Sequence, residues 1–258
     1  MLRRIVLPVL VAVLLGGAAP AAEGLFKPEV EVDMDLGGTA VGVAGGNWTA
    51  FSFSPSLQVR NSGPGLNIGL RLRGLFTSDA DFTEDDLDAT GHCAGFMMNG
   101  YAGWGFALGE NWSLSLLGGF GYRLYGAGYD TEEFLGDQID YDVSVSAATF
   151  DLGVSLRGRL GNRAVWTTTI MGGPVISGDI DADVQWYSLY YDSTEDIEAG
   201  AFFELRSALD FGISERLSFS AGLVFEVFVA DVDVDEDDEF ESFGSNTFAA
   251  TFGLTWKF

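Results

Sequence analysis

Phe248, Ala250, Phe252, Leu254, Trp256 and Phe258 take every second position at the end of the chain, and Thr247, Ala249, Thr251, Gly253, Thr255 and Lys257 fill the gaps. A period of two puts one set on each face of an extended strand. Leu217, Phe219, Ala221, Leu223, Phe225, Val227 and Val229 repeat the pattern, with Ser218, Ser220, Gly222 and Glu226 between them. A strand of that length, tilted by about 45°, rises roughly 30 Å, the thickness of a bilayer's hydrocarbon core. The same template predicts strands at about 26–36, 48–60, 66–76, 93–108, 112–125, 141–160, 164–176, 197–211, 217–229 and 247–258. The apolar parity of the 141–160 segment changes near Ala147–Thr149, which predicts a bulge.

Connections alternate in length. The runs at Asn61, Gly109, Gly161 and Gly212 are tight turns rich in Gly, Asn and Ser, whereas 77–91, 126–140, 177–196 and 230–245 are long. The expected fold is all-β: a transmembrane antiparallel β-barrel of about ten strands, between roughly eight and twelve, with short periplasmic turns and long acidic extracellular loops.

Composition sharpens this picture. The 258 residues carry a net charge of −25 yet are 47% hydrophobic and 14% aromatic, which is not the composition of an acidic disordered chain. The long connections with their strand ends hold most of the 38 acidic residues and no Lys or Arg. Arg71, Arg73, Arg123, Arg157, Arg159 and Arg206 fall on the inward parity beside Glu29, Glu31, Asp33, Asp35, Asp151, Glu204, Asp210 and Glu226. Paired ions inside the barrel follow, because isolated buried charges are costly. About ten strands enclose little beyond their own side chains, which argues against a wide general porin.

Residues 1–22 read as a cleaved signal peptide, with basic Arg3 and Arg4, an apolar run from Ile5 to Leu15 and small residues up to Ala22. Residues 23–258 then form a single barrel domain. The only thiol is Cys93, so internal disulfides and a thiolate zinc site are excluded.

The signal peptide, the alternating strands and the terminal FGLTWKF resemble a bacterial outer-membrane β-barrel protein of Gram-negative type. That resemblance implies residence in the bacterial cell outer membrane, with lipid and lipopolysaccharide as partners. It also implies the barrel-assembly machinery, engaged through the strand ending in Phe258, and no nucleic acid. A narrower resemblance is to the omptins, ten-stranded barrel proteases with an acidic rim. Asp79 and Asp81 in SDADF correspond to the omptin Asp-x-Asp pair, and Asp183 lies in the fourth loop where omptins carry an Asp-x-His pair. This chain has no His there; its single histidine is His92.

The expectation is therefore a non-enzymatic barrel with a structural, surface-interaction or lipopolysaccharide- and cation-contacting role. The alternatives are an omptin-like protease or lipid-modifying enzyme, with Asp79, Asp81 and Asp183 as the acids to test, and a narrow small-solute pore. Tyr187, Tyr190 and Tyr191 are the ligand-contact candidates. The DVDVDEDDEFES run fails the calcium-loop template, having Glu236 where Gly belongs and Ser242 where a bidentate Glu belongs. Asp231, Asp233 and Asp235 instead mark where a strand leaves the membrane, and loosely bound Ca2+ or Mg2+ there is the only cofactor expected. Trp48, Trp104, Trp112, Trp166, Trp186, Tyr122 and Tyr125 are expected to be mostly interfacial girdle residues.

Overall fold

A computed structural model describes residues 28–43, 46–61, 63–84, 87–131, 139–186, 189–232 and 242–258; the leader expected at 1–22 lies outside them. The strands are β1 (Pro28–Val43), β2 (Gly46–Asn61), β3 (Gly65–Thr77), β4 (Ala80–Glu84), β5 (Leu87–Ala107), β6 (Trp112–Thr131), β7 (Ile139–Leu160), β8 (Ala164–Trp186), β9 (Leu189–Gly212), β10 (Leu217–Val232) and β11 (Ser242–Lys257). Each pairs antiparallel with its neighbours, β1 pairs with β11, and β3 pairs with both β2 and β5. The short β4 continues the β3 position along β5. The result is a closed ten-stranded antiparallel barrel.

The tight turns form where glycine allows positive φ, at Gly63, Gly65, Gly109 and Gly161. Asn67 fastens the first of them by donating from Nδ2 to the carbonyls of Gly63 and Gly65, both at 2.9 Å. At the other end the ladders run through most of the long acidic segments. β9 alone has 24 residues, which at about 3.3 Å each and a 45° tilt rises some 55 Å, well beyond a hydrocarbon core of roughly 30 Å. The wall therefore continues beyond the bilayer as paired strand.

An exposed apolar belt surrounds the lower wall: Val32, Met34 and Leu36 on β1, Leu116 and Phe120 on β6, Leu152 and Val154 on β7, Leu223 and Phe225 on β10, and Phe252 and Leu254 on β11. Burying that much apolar surface requires lipid. Trp104, Trp112 and Trp256 stand exposed at the short-turn end of the belt, where an interfacial girdle belongs.

Each wall then inverts. On β7 the outward residues change from Leu152 and Phe150 to Ser144 and Asp142, while the inward ones change from Asp151 and Thr149 to Val145 and Val143. The inward parity of β7 itself is continuous. The change in apolar parity seen in the sequence is thus the crossing of the membrane boundary. A register shift does fall at Ala148/Thr149, and the extra residue lies on β8, where Ser177 and Val175 are the successive partners. A matching shift occurs on β9, between the partners of Asp231 and Val232.

Candidate functional site

Inside the membrane-spanning half, β1 projects Glu29, Glu31, Asp33 and Asp35 inward at every second position. Four such carboxylates on one strand repel unless other walls answer them. Arg60 on β2 reaches Glu31 at 2.9 Å and Glu29 at 3.5 Å, and Arg157 on β7 reaches Glu29 at 3.0 Å. Arg206 on β9 binds Asp33 at 2.5 Å, and Arg73 on β3 joins Asp35 at 3.2 Å to Glu226 at 2.5 Å. Arg71 completes the lattice with two bonds to Glu204, at 2.7 and 2.8 Å. The inward ion pairing expected from the sequence is present, and Arg60, absent from the inward set, is one of its centres. Arg159 is exposed at the short-turn end instead.

Toward the long-connection end the lumen turns apolar. Val41, Val43, Leu75, Met97, Val143, Val145, Ile180, Phe228 and Phe243 pack into one core with Cys93. Tyr125 stacks on Phe228 at 5.1 Å and lies 5.2 Å from Phe243. Trp48 stacks on Phe82 at 5.4 Å. Trp48 and Tyr125 thus belong to the lumen and not to the outer girdle. Arg123 links the two layers. It donates to Thr149, lies 3.6 Å from Asp151, and places its guanidinium carbon 3.4 Å from the centre of the Phe202 ring. Below this seal the polar lumen contains a cavity of about 60 Å3, lined by Arg60, Arg71, Arg157 and Arg206 among others. That is room for a few waters.

The outward face above the belt has the opposite character. Asp142, Asp183 and Asp192 are direct cross-strand neighbours on β7, β8 and β9, and Asp179 faces Asp196 four residues along. Like charges directly opposite one another destabilise a sheet. Asp130 faces Asp140 on β6 and β7; burial, and then the Asp140 carboxyl beside it, push Asp130 above the ordinary carboxylate range. The Tyr190 hydroxyl donates to Asp183 Oδ1 at 2.7 Å, and this bond raises its phenol. His92 belongs to the same face, in register with Gly128 and through it with Asp142. A Cβ on Gly128 would lie 2.3 Å from Asp142 Oδ1 and 3.2 Å from His92 Cε1, so the two side chains converge over the glycine.

The sequence candidates are distributed as follows. Asp79 is exposed in the turn before β4, and Asp81 on β4 accepts a bond from Thr90 at 3.0 Å. Asp183 stands four strands away from Asp81, so the acids of the second and fourth loops do not converge. Asp81 instead shares a hollow of about 510 Å3 with Asp231, which continues the outward parity of Val229. Tyr191 pairs through its backbone with Val184, its side chain lying outside the described set. Tyr187, Asp233 and Asp235 also lie outside the described residues. Among the described residues no group of three or more His, Cys, Asp or Glu is arranged to hold a metal ion. The apolar seal and the β7–β9 acidic rows were missed in the sequence. Their signal was apolar inward residues set between outward acids, as Val143 follows Asp142 and as Ile180 and Ala182 alternate with Asp179, Asp181 and Asp183.

No protein-family model matches the chain, and no curated protein matches it. Solved structures do resemble it. The outer membrane protease OmpT from Escherichia coli superposes with a TM-score of 0.65 at 11% identity, covering 90% of this chain and 97% of that one. The translocator domain of the autotransporter NalP from Neisseria meningitidis gives 0.49 at 12% identity, over 95% and 93% of the two chains. The first likeness establishes a fold: this chain has the ten-stranded, omptin-like layout of bacterial outer-membrane β-barrels.

Proposed function

We propose that this chain is an integral outer-membrane barrel that works through its outward surface, as a non-enzymatic structural or surface-interaction protein contacting lipopolysaccharide through divalent cations. The observation carrying the reading is the row Asp142–Asp183–Asp192, set above the lipid belt on a barrel whose lumen is sealed. Adjacent carboxylates with no Lys or Arg beside them among the described residues draw cations, and cations at that height meet the phosphates of the glycolipid leaflet. With no chelating group among the described residues, the association is a shared counter-ion layer, screened by salt. Purified protein should bind lipid A vesicles more tightly in millimolar Ca2+ than in EDTA, and Asp142→Asn/Asp183→Asn/Asp192→Asn should remove the Ca2+ effect. Binding indifferent to Ca2+ would refute the reading.

A second reading, hydrolysis at the surface, is favoured by the convergence of His92 and Asp142 over Gly128. An imidazole with a carboxylate nearby is the residue pairing from which a general base is made. Cleavage of a fluorogenic peptide, lost on His92→Gln, would support it; absence of cleavage by the folded wild-type barrel would end it.

A further inference from the structure

Away from the acidic face, β10, β11, β1 and β2 carry a shelf of small and polar residues directly above the lipid belt. One cross-strand row runs Val227, Asn246, Ala40, Thr49, and the next Val229, Gly244, Gly42, Asn47. Both continue the parity that faces lipid at Phe225, Phe248, Leu36 and Phe53. Two glycines paired across β1 and β11 leave the floor bare, and this is the 510 Å3 hollow, within the size range of small-ligand sites. A Cβ on Gly244 would meet nothing within 4 Å, whereas one on Gly42 would lie 2.8 Å from Asn47 Oδ1. The Asn47 amide therefore leans over the floor, and Asp231 and Asp81 stand at its margin.

The chemistry of the hollow selects its occupant. Amides, a Thr hydroxyl and carboxylates match hydroxyl groups, which both donate and accept. Among the described residues no Lys or Arg lines the hollow, so a phosphate has no direct partner there. A glycine floor lets the face of a sugar ring approach the backbone. The height of the shelf, one row above the last lipid-facing side chains, is the level of a membrane lipid's headgroup. We infer that this hollow binds a sugar unit of the outer-leaflet glycolipid, an inference that rests on the outer-membrane placement proposed above.

The test titrates the full barrel, folded in detergent and kept in EDTA, with lipopolysaccharide truncated to lipid A plus inner-core sugars, and separately with lipid A alone. The core-bearing form is expected to bind about tenfold more tightly, the scale of one or two hydrogen bonds. Gly244→Phe should erase that difference by filling the hollow, and Asn246→Ala should reduce it, both barrels still folded by their heat-shifted gel mobility. Equal binding of the two ligands by wild type, or a preference that survives Gly244→Phe, overturns the inference. Failure of the cation-bridged reading appears separately, as lipid A binding that added Ca2+ does not strengthen.

Discussion

Arg73 crosses the lumen to hold Asp35 and Glu226 together, and all three are almost fully buried. Arg73→Ala takes from Glu226 its one ion pair among the described residues and leaves Asp35 only the longer contacts to Arg206 at 3.6 Å and Arg71 at 3.8 Å, so it should lower stability by about 3–5 kcal/mol in urea unfolding; a loss under about 1 kcal/mol would mean that water reaches this pair as it reaches a surface one. Asp130 gives the opposite kind of test, on the outer face. Its carboxyl titrates above its ordinary value because of burial and the neighbouring Asp140. A raised carboxyl is disfavoured in the folded state as an anion, so the penalty appears as pH climbs past the unfolded value, about 3.9, and is complete above the folded one. Asp130→Asn should therefore raise the thermal midpoint at about pH 7 and leave it unchanged near pH 3. A midpoint shift independent of pH would remove the like-charge explanation.

Along a single strand, β7 passes through two environments without changing which parity faces out. Leu152 and Ser144 are both outward, one in lipid and one above it. Leu152→Arg should cost about 2–4 kcal/mol, or block insertion, while Ser144→Arg should be close to neutral; equal costs at both sites would place the membrane boundary elsewhere. This inversion also explains how much of the architecture was legible. Strand identity, antiparallel order and the short turns could be read because period-two alternation and Gly-rich turns are local signals. The strand ends in the acidic segments could not, because Asp179, Asp181 and Asp183 look like loop residues until Ile180 and Ala182 are seen to point inward. The bulge predicted at Ala147–Thr149 falls opposite those residues, with its extra residue on β8, and β7 does not make the parity change that suggested it. Asp81 and Asp183, grouped as acids of one possible catalytic centre, proved to be separated because pattern alone gives no strand-to-strand distance.

The whole molecule is a barrel with two interiors. An ion lattice fills the membrane-spanning half, and an apolar core of the kind found in soluble domains closes the half above it. Phe228, fully buried between Tyr125 and Phe243, is central to that closure. Phe228→Ala should cost about 3–5 kcal/mol, read as a lower temperature for loss of the heat-shifted gel band. The closed lumen is why both the cation-bridged and the sugar-binding proposals place their ligands on the outer wall. Conductance of the folded protein in a planar lipid bilayer tests this most directly. The account predicts a flat baseline with no unitary steps; regular, ohmic steps from the wild-type barrel would contradict it.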